Sequence, residues 1–208
     1  MLPVCMPPVL PAPLVLASTS KYRQAQLARL GLPFQSVAPD YAELPVPGVA
    51  AGDLPLYHAL HKAAAVSRLE SQQNAWILAA DQGVVWGEGA DAMLLGKPHT
   101  VAAAVAQLLQ LAGRTHLLRT AVVLQVPGIA AFSQVVDVAM TLLPLQEAEA
   151  AAYVALDQPL DCAGSYRIEA GAPWILERCE GADPTAIEGL PLLAVTALLR
   201  RALADCAG

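Results

Sequence analysis

The sequence has no uninterrupted apolar run long enough to span a membrane, although 56% of its 208 residues are hydrophobic. A spanning helix needs about 20 consecutive apolar residues. The most apolar stretch is N-terminal, but prolines at positions 3, 7, 8, 11 and 13 interrupt it and no Lys or Arg precedes it. It is therefore a poor match to a signal peptide. We expect no membrane partner, a flexible extension over residues 1–13 and one domain over residues 14–208.

Basic residues are also scarce. The chain has 12 Lys and Arg against 18 Asp and Glu, which gives a formal net charge of −6. No stretch is rich in Lys or Arg, so neither DNA nor RNA is expected as a partner. An acidic protein that binds a polyanionic small molecule must gather its few bases in one place or use a metal ion.

Several common site motifs are missing. The four cysteines form no C-x-x-C pair and no histidine lies at zinc-finger spacing from them, so a structural zinc site is not expected. Because the sequence shows no export signal, we expect free thiols in a reducing compartment, which favours the cytoplasm. The sequence also lacks G-x-x-x-x-G-K-[ST], G-x-G-x-x-G, G-x-S-x-G and H-E-x-x-H. It therefore carries none of the usual signatures of nucleotide loops, nucleophile elbows or zinc proteases.

The first informative feature is a strand followed by a hydroxyl-rich turn and a helix. Residues 14–17 are a short apolar run typical of a strand buried on both faces, and Ser18, Thr19 and Ser20 follow it. The backbone N–H groups and the dipole at a helix N-terminus favour an anion. Ser18 and Arg23 supply donors that suit a phosphate. The alternative is an ordinary helix cap with a surface arginine.

Two carboxylates are candidates for holding a metal ion or activating water. The apolar run 76–80 predicts a buried strand that ends at Asp81, and open α/β sheets bind ligands at the carboxyl ends of their strands. Glu43 lies on a Pro- and Gly-rich loop. Either carboxylate can bind Mg²⁺, and Asp81 can also act as a base. The alternatives are a turn cap for Asp81 and a solvated loop charge for Glu43.

Lys62 and Lys97 are the remaining candidates for neutralising phosphate. Lys62 falls within a predicted helix over 54–69 that is otherwise rich in Ala, Leu and His, and Lys97 stands between a glycine and a proline. Lysines are usually solvated, so the functional interpretation requires Arg23, Lys62 and Lys97 to converge on one cleft. The succession of buried strands and helices along the chain predicts an α/β fold.

Five segments, in order, resemble the sequence blocks of the Maf family of nucleotide pyrophosphatases. The blocks are A-S-x-S-P-x-R, a strand ending in S-D-Q or S-D-T, L-G-K-P-x-[TS], [CK]-A-G-[AS]-[YF]-x-x-[EQ] and E-G-x-x-x-x-[VL]-x-G-L-P. They cover nearly the whole chain, and any one of them alone is a weak signal. The matching segments are ASTSKYR at 17–23, ILAADQ at 77–82, LGKPHT at 95–100, CAGSYRIE at 162–169 and EGADPTAIEGLP at 180–191.

This resemblance implies a fold, a reaction and a set of site residues. The fold is a mixed sheet with helices on both faces and two lobes around a cleft. Members of the family are cytoplasmic enzymes, often homodimers, that hydrolyse a nucleoside triphosphate to the monophosphate and pyrophosphate with Mg²⁺ or Mn²⁺, and the resemblance implies the same here. Asp81 matches the proton acceptor, and Asp81 with Glu43 matches the metal site. The polar set that faces the phosphates is matched by Ser18, Arg23, Lys62 and Lys97.

Three further positions sort the subgroups of this family by substrate. Tyr22, Gln82 and Glu169 resemble the subgroup that acts on 7-methyl-GTP, whereas the dTTP and UTP subgroup resembles S-P-R-R, D-T and Gln at these places. A methylated guanine carries a positive ring charge that an aromatic face attracts, and a carboxylate accepts hydrogen bonds from its N1–H and amine. The alternatives are a dTTP/UTP or broad house-cleaning pyrophosphatase, and a nucleotide-binding regulator of septum formation without turnover.

The sequence departs from the family pattern at two positions inside these blocks and at one position next to a block. Lys21 replaces the usual proline, Gln24 replaces a frequent arginine and Ala80 replaces the common serine before Asp81. Lys21 keeps positive charge at the phosphate turn, so phosphate binding is expected to survive. The lost polar groups at positions 24 and 80 bear on rate and affinity.

Overall fold

Seven strands form one mixed sheet in the computed structural model, which describes residues 7–44, 46–87 and 92–206. Their spatial order is β2-β1-β3-β5-β6-β7, with β4 paired to β3; β1 is parallel to β2 and β3, and the other pairs are antiparallel. The strands are β1 (Leu14–Ala17), β2 (Phe34–Val37), β3 (Trp76–Trp86), β4 (Met93–Leu95), β5 (Thr115–Gln125), β6 (Phe132–Leu142) and β7 (Leu176–Gly181).

Helices cover both faces of this sheet. They are α1 (Lys21–Ala28), α2 (Leu54–Ser67), α3 (Val101–Leu111), α4 (Glu147–Asp157) and α5 (Leu192–Cys206). Alternate residues of β1 belong to different cores, Leu14 and Leu16 to a larger one and Val15 and Ala17 to a smaller one. The smaller core includes the buried face of α2, and the larger one includes residues of the other four helices. The predicted mixed α/β sheet with helices on both faces is therefore confirmed.

The strand that carries Asp81 is longer than its apolar run predicts. The expected end at Asp81 is wrong, because β3 continues to Trp86 by pairing with β5, where Ala121 lies opposite Asp81, and with β4. The parallel partner β1 has its last residue opposite β3 at Leu16, across from Leu78. Asp81 thus lies inside a strand but beyond the carboxyl end of its parallel neighbour, where a crevice opens.

The region after residue 171 also differs from its sequence interpretation. The apolar residues Trp174–Leu176 predict a short strand, but Ala172–Trp174 form a single 3-10 turn and the strand β7 follows it. Within residues 7–44, 46–87 and 92–206, β7 pairs with β6 alone, and most of its side chains are exposed. An edge strand of this kind has no apolar run, so the apolar runs that indicate buried strands do not predict it.

The predicted N-terminal extension is described in part. Residues 7–13 contain no helix or strand, and Leu10 and Ala12 pack against the larger core. Residues 1–6 lie outside the described residues, and the division into a flexible extension and one domain stays a prediction. Over 7–44, 46–87 and 92–206, no helix has the length and apolar character needed to cross a membrane.

A buried aspartate fixes the turn between β7 and α5. The carboxylate of Asp183 is 3% exposed and accepts hydrogen bonds from the N–H groups of Thr185 at 3.1 Å, Leu193 at 2.8 Å and Ala194 at 3.3 Å. It thereby joins the 3-10 helix Pro184–Glu188 to the first turn of α5, whose N–H groups have no partner within the helix.

Replacing Asp183 with Ala leaves these N–H groups without their acceptor in a buried place. We expect the free energy of unfolding to fall by about 2 kcal/mol, from the loss of charge-assisted hydrogen bonds and a helix cap. Urea unfolding followed by circular dichroism measures the change. The matched control is Asp205→Ala in the exposed last turn of α5, which should change stability by less than about 0.5 kcal/mol. Equal stabilities of the two variants would contradict the anchoring role.

Candidate active site

One cavity of about 490 Å³ lies at the crevice beside β1 and β3. It is lined by the turn after β1 and the start of α1, by the loop before α2, by one residue of α2, and by the segments after β4, α4 and β7. Eight of the nine predicted site residues line it: Ser18, Tyr22, Arg23, Glu43, Lys62, Lys97, Gln82 and Glu169. The ninth, Asp81, does not line the cavity, but it accepts a hydrogen bond from Lys62, which does.

Lys62 forms the centre of the charged part of the site. It lies on the sheet-facing side of α2 and is only 4% exposed, while Asp81 is 5% exposed. Its Nζ donates to Asp81 Oδ1 at 2.5 Å and also forms an ion pair with Glu43 Oε1. A buried ammonium needs such partners, because an unpaired charge in a protein interior is strongly unfavourable. The lysine therefore joins the strand, the helix and the loop.

The two carboxylates on Lys62 have opposite pKa shifts. Burial raises the pKa of Asp81, Lys62 opposes this and Glu43 adds to it, so that the pKa lies above its ordinary value. Burial also raises the pKa of Glu43, but the charges of Lys62, Lys97 and Arg23 outweigh it and the pKa is lowered. A carboxylate with a raised pKa next to one that stays ionised is an arrangement suited to a general base beside a fixed negative charge.

The turn after β1 leads into a capped helix N-terminus at the cavity wall. Ser20 caps the N-terminus of α1 by accepting from Arg23 N at 3.4 Å, and Ser20 N donates to Ser18 Oγ at 3.1 Å. Arg23 Nε donates to Gly189 O at 2.9 Å. This bond fixes the arginine at the cavity wall, where the rest of its guanidinium can still donate to a ligand.

Gln82 has a structural contact that its sequence position does not reveal. Its Nε2 donates to Thr120 Oγ1 at 2.7 Å and to Ala186 O at 2.6 Å. The amide nitrogen therefore holds the 3-10 helix Pro184–Glu188 against the sheet, and the amide oxygen is the group left for a ligand. Gln26 of α1 holds the same region through Thr185 O and Leu190 O.

Arg167 is a site residue that the sequence interpretation missed. It lines the cavity, pairs with Asp157 at 2.7 Å and reaches the hydroxyl of Tyr22 at 3.4 Å. The Tyr22 ring also lies 5.1 Å from the ammonium of Lys21. Arg167 stands within the segment CAGSYRIE, two residues before Glu169, in a chain with few bases. Because Lys and Arg are scarce in this chain, a basic residue inside a matched family block could have been identified as a candidate from the sequence.

The predicted metal site consists of two carboxylates bridged by a lysine. Among the described residues there is no group of three or more His, Cys, Asp or Glu side chains that could hold a metal ion. Mg²⁺ commonly takes only one or two carboxylates and completes its shell with water and substrate phosphates. Asp81 and Glu43 therefore fit a hard divalent cation in the chemistry of their oxygens, provided that phosphate oxygens supply further ligands.

Comparison with known proteins shows a family match over nearly the whole chain. The family model for the Maf-like protein matches residues 13–202. A protein from Cupriavidus metallidurans named 7-methyl-GTP pyrophosphatase is 38% identical over 197 residues, which is 94% of this chain and 96% of the relative. One from Alkalilimnicola ehrlichii with the same name is 40% identical over 182 residues, covering 87% of this chain and 88% of the relative.

Two solved structures are more distantly similar. One is a nucleoside-triphosphatase, or dITP/XTP pyrophosphatase, from Mycobacterium abscessus, with 20% identity and a TM-score of 0.41 over 62% of this chain and 73% of that one. The other is the Ham1 protein of Staphylococcus aureus, with 14% identity and a TM-score of 0.47 over 76% of this chain and 88% of that one.

Replacing Lys62 with Met should raise the pKa of Asp81 further, because the lysine charge and hydrogen bond are what lower it against burial. Carboxyl-detected NMR titration of the wild type and the variant measures the shift. Lys97→Met is the matched control, since Lys97 acts on Glu43 but is not among the groups that shift Asp81. It should raise the pKa of Glu43 and leave that of Asp81 in place. An Asp81 pKa that is unchanged or lower in Lys62→Met would contradict the assigned contact.

Proposed function

The chain belongs to the Maf-like protein family, and from that membership and the geometry of the cavity we propose that it hydrolyses 7-methyl-GTP to 7-methyl-GMP and pyrophosphate. The observation that carries the proposal is the convergence of Arg23, Lys62 and Lys97 on one cavity, where Lys62 is paired with both Glu43 and Asp81. This is the condition on which the functional interpretation of these bases depends.

The triphosphate binds at the end of the cavity where the cations gather. Arg23, Lys62 and Lys97 all act on the carboxylate of Glu43, which places their charges around one point. The N-terminus of α1 and the hydroxyl of Ser18 add uncharged donors on the same side. In a chain of net charge −6, such a local cluster is what allows a polyanion to bind.

The reaction is an in-line attack of water on the α-phosphorus. The water oxygen forms a bond to phosphorus, the bond from phosphorus to the α,β-bridging oxygen breaks, and its electron pair leaves with pyrophosphate. Asp81 takes the proton of the water, and its raised pKa makes it a better base than an ordinary carboxylate. Charge develops on the phosphoryl and leaving oxygens, which Arg23 and Lys97 stabilise by position.

With Asp81 as the base, Glu43 would hold a divalent cation, Mg²⁺ or Mn²⁺, together with oxygens of the triphosphate; in the alternative in which Asp81 does not take the proton, it would be the second carboxylate ligand of that ion. When bound there, such an ion supplies neutralisation of phosphate charge. The ion pairs to Lys62 fix the positions of both carboxylates before substrate arrives. Preorganisation of this kind lowers the reorganisation needed during the reaction.

The base binds beside Tyr22, Gln82 and Glu169. The Tyr22 ring already faces one cation, the ammonium of Lys21, and a positively charged methylated guanine suits the same aromatic ring. Glu169 is exposed at the cavity wall and accepts from the N1–H and amine of guanine. Relatives named 7-methyl-GTP pyrophosphatase support this choice of base. A cytoplasmic location and a homodimer stay predictions.

Replacing Asp81 with Asn removes the proposed base with little change of shape, so turnover should fall at least about a thousandfold while the fold is retained. Pyrophosphate release from 7-methyl-GTP, GTP, dTTP, UTP and CTP, with and without Mg²⁺, measures it. Asp40→Asn is the matched control, because this neighbouring loop carboxylate is exposed and does not line the cavity. Near wild-type activity of Asp81→Asn would overturn the mechanism. Wild-type preference for dTTP or UTP, or binding without turnover, would favour the other functions.

Replacing Glu169 with Gln should reduce the preference for 7-methyl-GTP over UTP in kcat/KM by about tenfold, the effect of one charge-assisted hydrogen bond. Glu188→Gln is the control, because Glu188 also lines the cavity but is paired with Arg29 at 3.0 Å. A preference that survives Glu169→Gln unchanged would contradict this assignment of the base pocket, while leaving the phosphate chemistry intact.

A further inference from the structure

An ion pair between a buried aspartate and a partly exposed arginine lies at the wall of the cavity near Tyr22. The carboxylate of Asp157, at the end of α4, is 6% exposed and binds Arg167 Nη2 at 2.7 Å. It also accepts from Tyr153 Oη–H at 2.6 Å and from Gly171 N at 3.4 Å. Tyr153 Oη in turn accepts from Arg167 N at 3.1 Å. Both the side chain and the backbone of Arg167 are thus fixed by α4.

Stability alone does not explain this pair. Arg167 Nε is buried and has no acceptor within residues 7–44, 46–87 and 92–206, and an unpaired buried donor costs free energy. Buried ion pairs are often no more stabilising than apolar groups of the same size. The pair nevertheless keeps its charges. Burial raises the pKa of Asp157, but its hydrogen bonds with Arg167 and Tyr153 outweigh this and lower it below the ordinary value.

The cavity has two ends of different charge. At one end, Glu43 experiences the positive charges of Lys62, Lys97 and Arg23. At the other end, burial raises the pKa of Cys162 to about 12, and the charges of Asp161 and Glu169 add to this while Arg167 opposes it. Asp161 and Glu169 bring two negative charges to this end, and Arg167 and Lys21, whose ammonium lies 5.1 Å from the Tyr22 ring, bring two positive ones. The sign of the total therefore depends on the carboxylate of Asp157, which binds Arg167.

We propose that Asp157 is a specificity-determining positioning residue. It cancels the charge of Arg167 and holds the guanidinium against Tyr22, so that the end of the cavity beside Tyr22 and Glu169 keeps a net negative charge. That end then selects a cationic purine over a neutral one of nearly the same shape. The inference rests on the proposed function, since it concerns the base of the nucleotide whose phosphates bind at the other end.

The physical reason is that the two purines differ mainly in charge. A guanine and a 7-methylguanine offer the same Watson–Crick edge to Glu169, so this edge alone separates them little. A neutral or positive wall would favour the uncharged base, whereas a negative wall favours the cationic one. Because the wall contains an arginine, its sign depends on whether that arginine is paired. Asp157 does not line the cavity and therefore acts through Arg167.

The test compares the binding of 7-methyl-GMP and GMP by titration calorimetry, without metal and without turnover. Wild-type protein should prefer 7-methyl-GMP. Asp157→Asn leaves Arg167 with an uncompensated charge, and it should lower this preference about tenfold, the size expected for one partly screened charge near the ligand. The double variant Asp157→Asn with Arg167→Gln removes both charges and should return the preference to within about twofold of wild type, whereas a purely structural defect would not be rescued.

Asp137→Asn is the matched control. Asp137 also pairs with an arginine, binding Arg119 through two hydrogen bonds of 2.7 Å; it is more exposed than Asp157, and neither residue of this pair lines the cavity. This variant should leave the preference unchanged. The inference is overturned if wild-type protein binds both nucleotides equally, if Asp157→Asn keeps the preference, or if the double variant is no better than Asp157→Asn. A binding preference that follows the expected pattern without any pyrophosphate release would support the inference and contradict the proposed catalysis.

Discussion

The site depends on one buried ammonium, that of Lys62, held between Asp81 and Glu43. Each partner needs the others. Two carboxylates this close repel one another without a cation, and a lysine this deep requires anions. The contact therefore fixes a helix, a strand and a loop in one arrangement. It leaves Asp81 with a raised pKa beside a cavity that Arg23 and Lys97 line on the side of the carboxylates and Lys21 and Arg167 line near Tyr22.

The fold delivers this contact by ending one strand early. β1 stops at Ala17, while β3 continues through Asp81 to Trp86. The sheet therefore has a crevice next to the turn after β1 and the N-terminus of α1, whose N–H groups can donate to an anion. The far wall is a turn that has little regular structure of its own. Asp183, Gln26 and Gln82 hold it through hydrogen bonds to backbone groups, which keeps Gly189 in place as the acceptor for Arg23.

The sequence predicts the residues that line the site better than it predicts the strands and buried contacts that hold them in place. Seven of the nine predicted positions lie in the five blocks, Glu43 and Lys62 lie outside them, and eight of the nine line one cavity. Asp81 was expected at a strand end, because an apolar run cannot show that pairing with β5 and β4 carries the strand past a charge. β7 lacked an apolar pattern as an edge strand. The partners Asp157 and Arg167 are joined only by tertiary contact, which no local pattern encodes.

If water attacks the α-phosphorus beside Asp81, the oxygen of that water must end in the nucleoside monophosphate. Hydrolysis of 7-methyl-GTP in oxygen-18 water, followed by mass spectrometry of both products, locates the new bond. Attack at the α-phosphorus predicts that the label appears in 7-methyl-GMP and is absent from pyrophosphate. Label in pyrophosphate would place the attack on the β-phosphorus, and release of labelled inorganic phosphate would place it on the γ-phosphorus. Either result would rule out attack of water on the α-phosphorus.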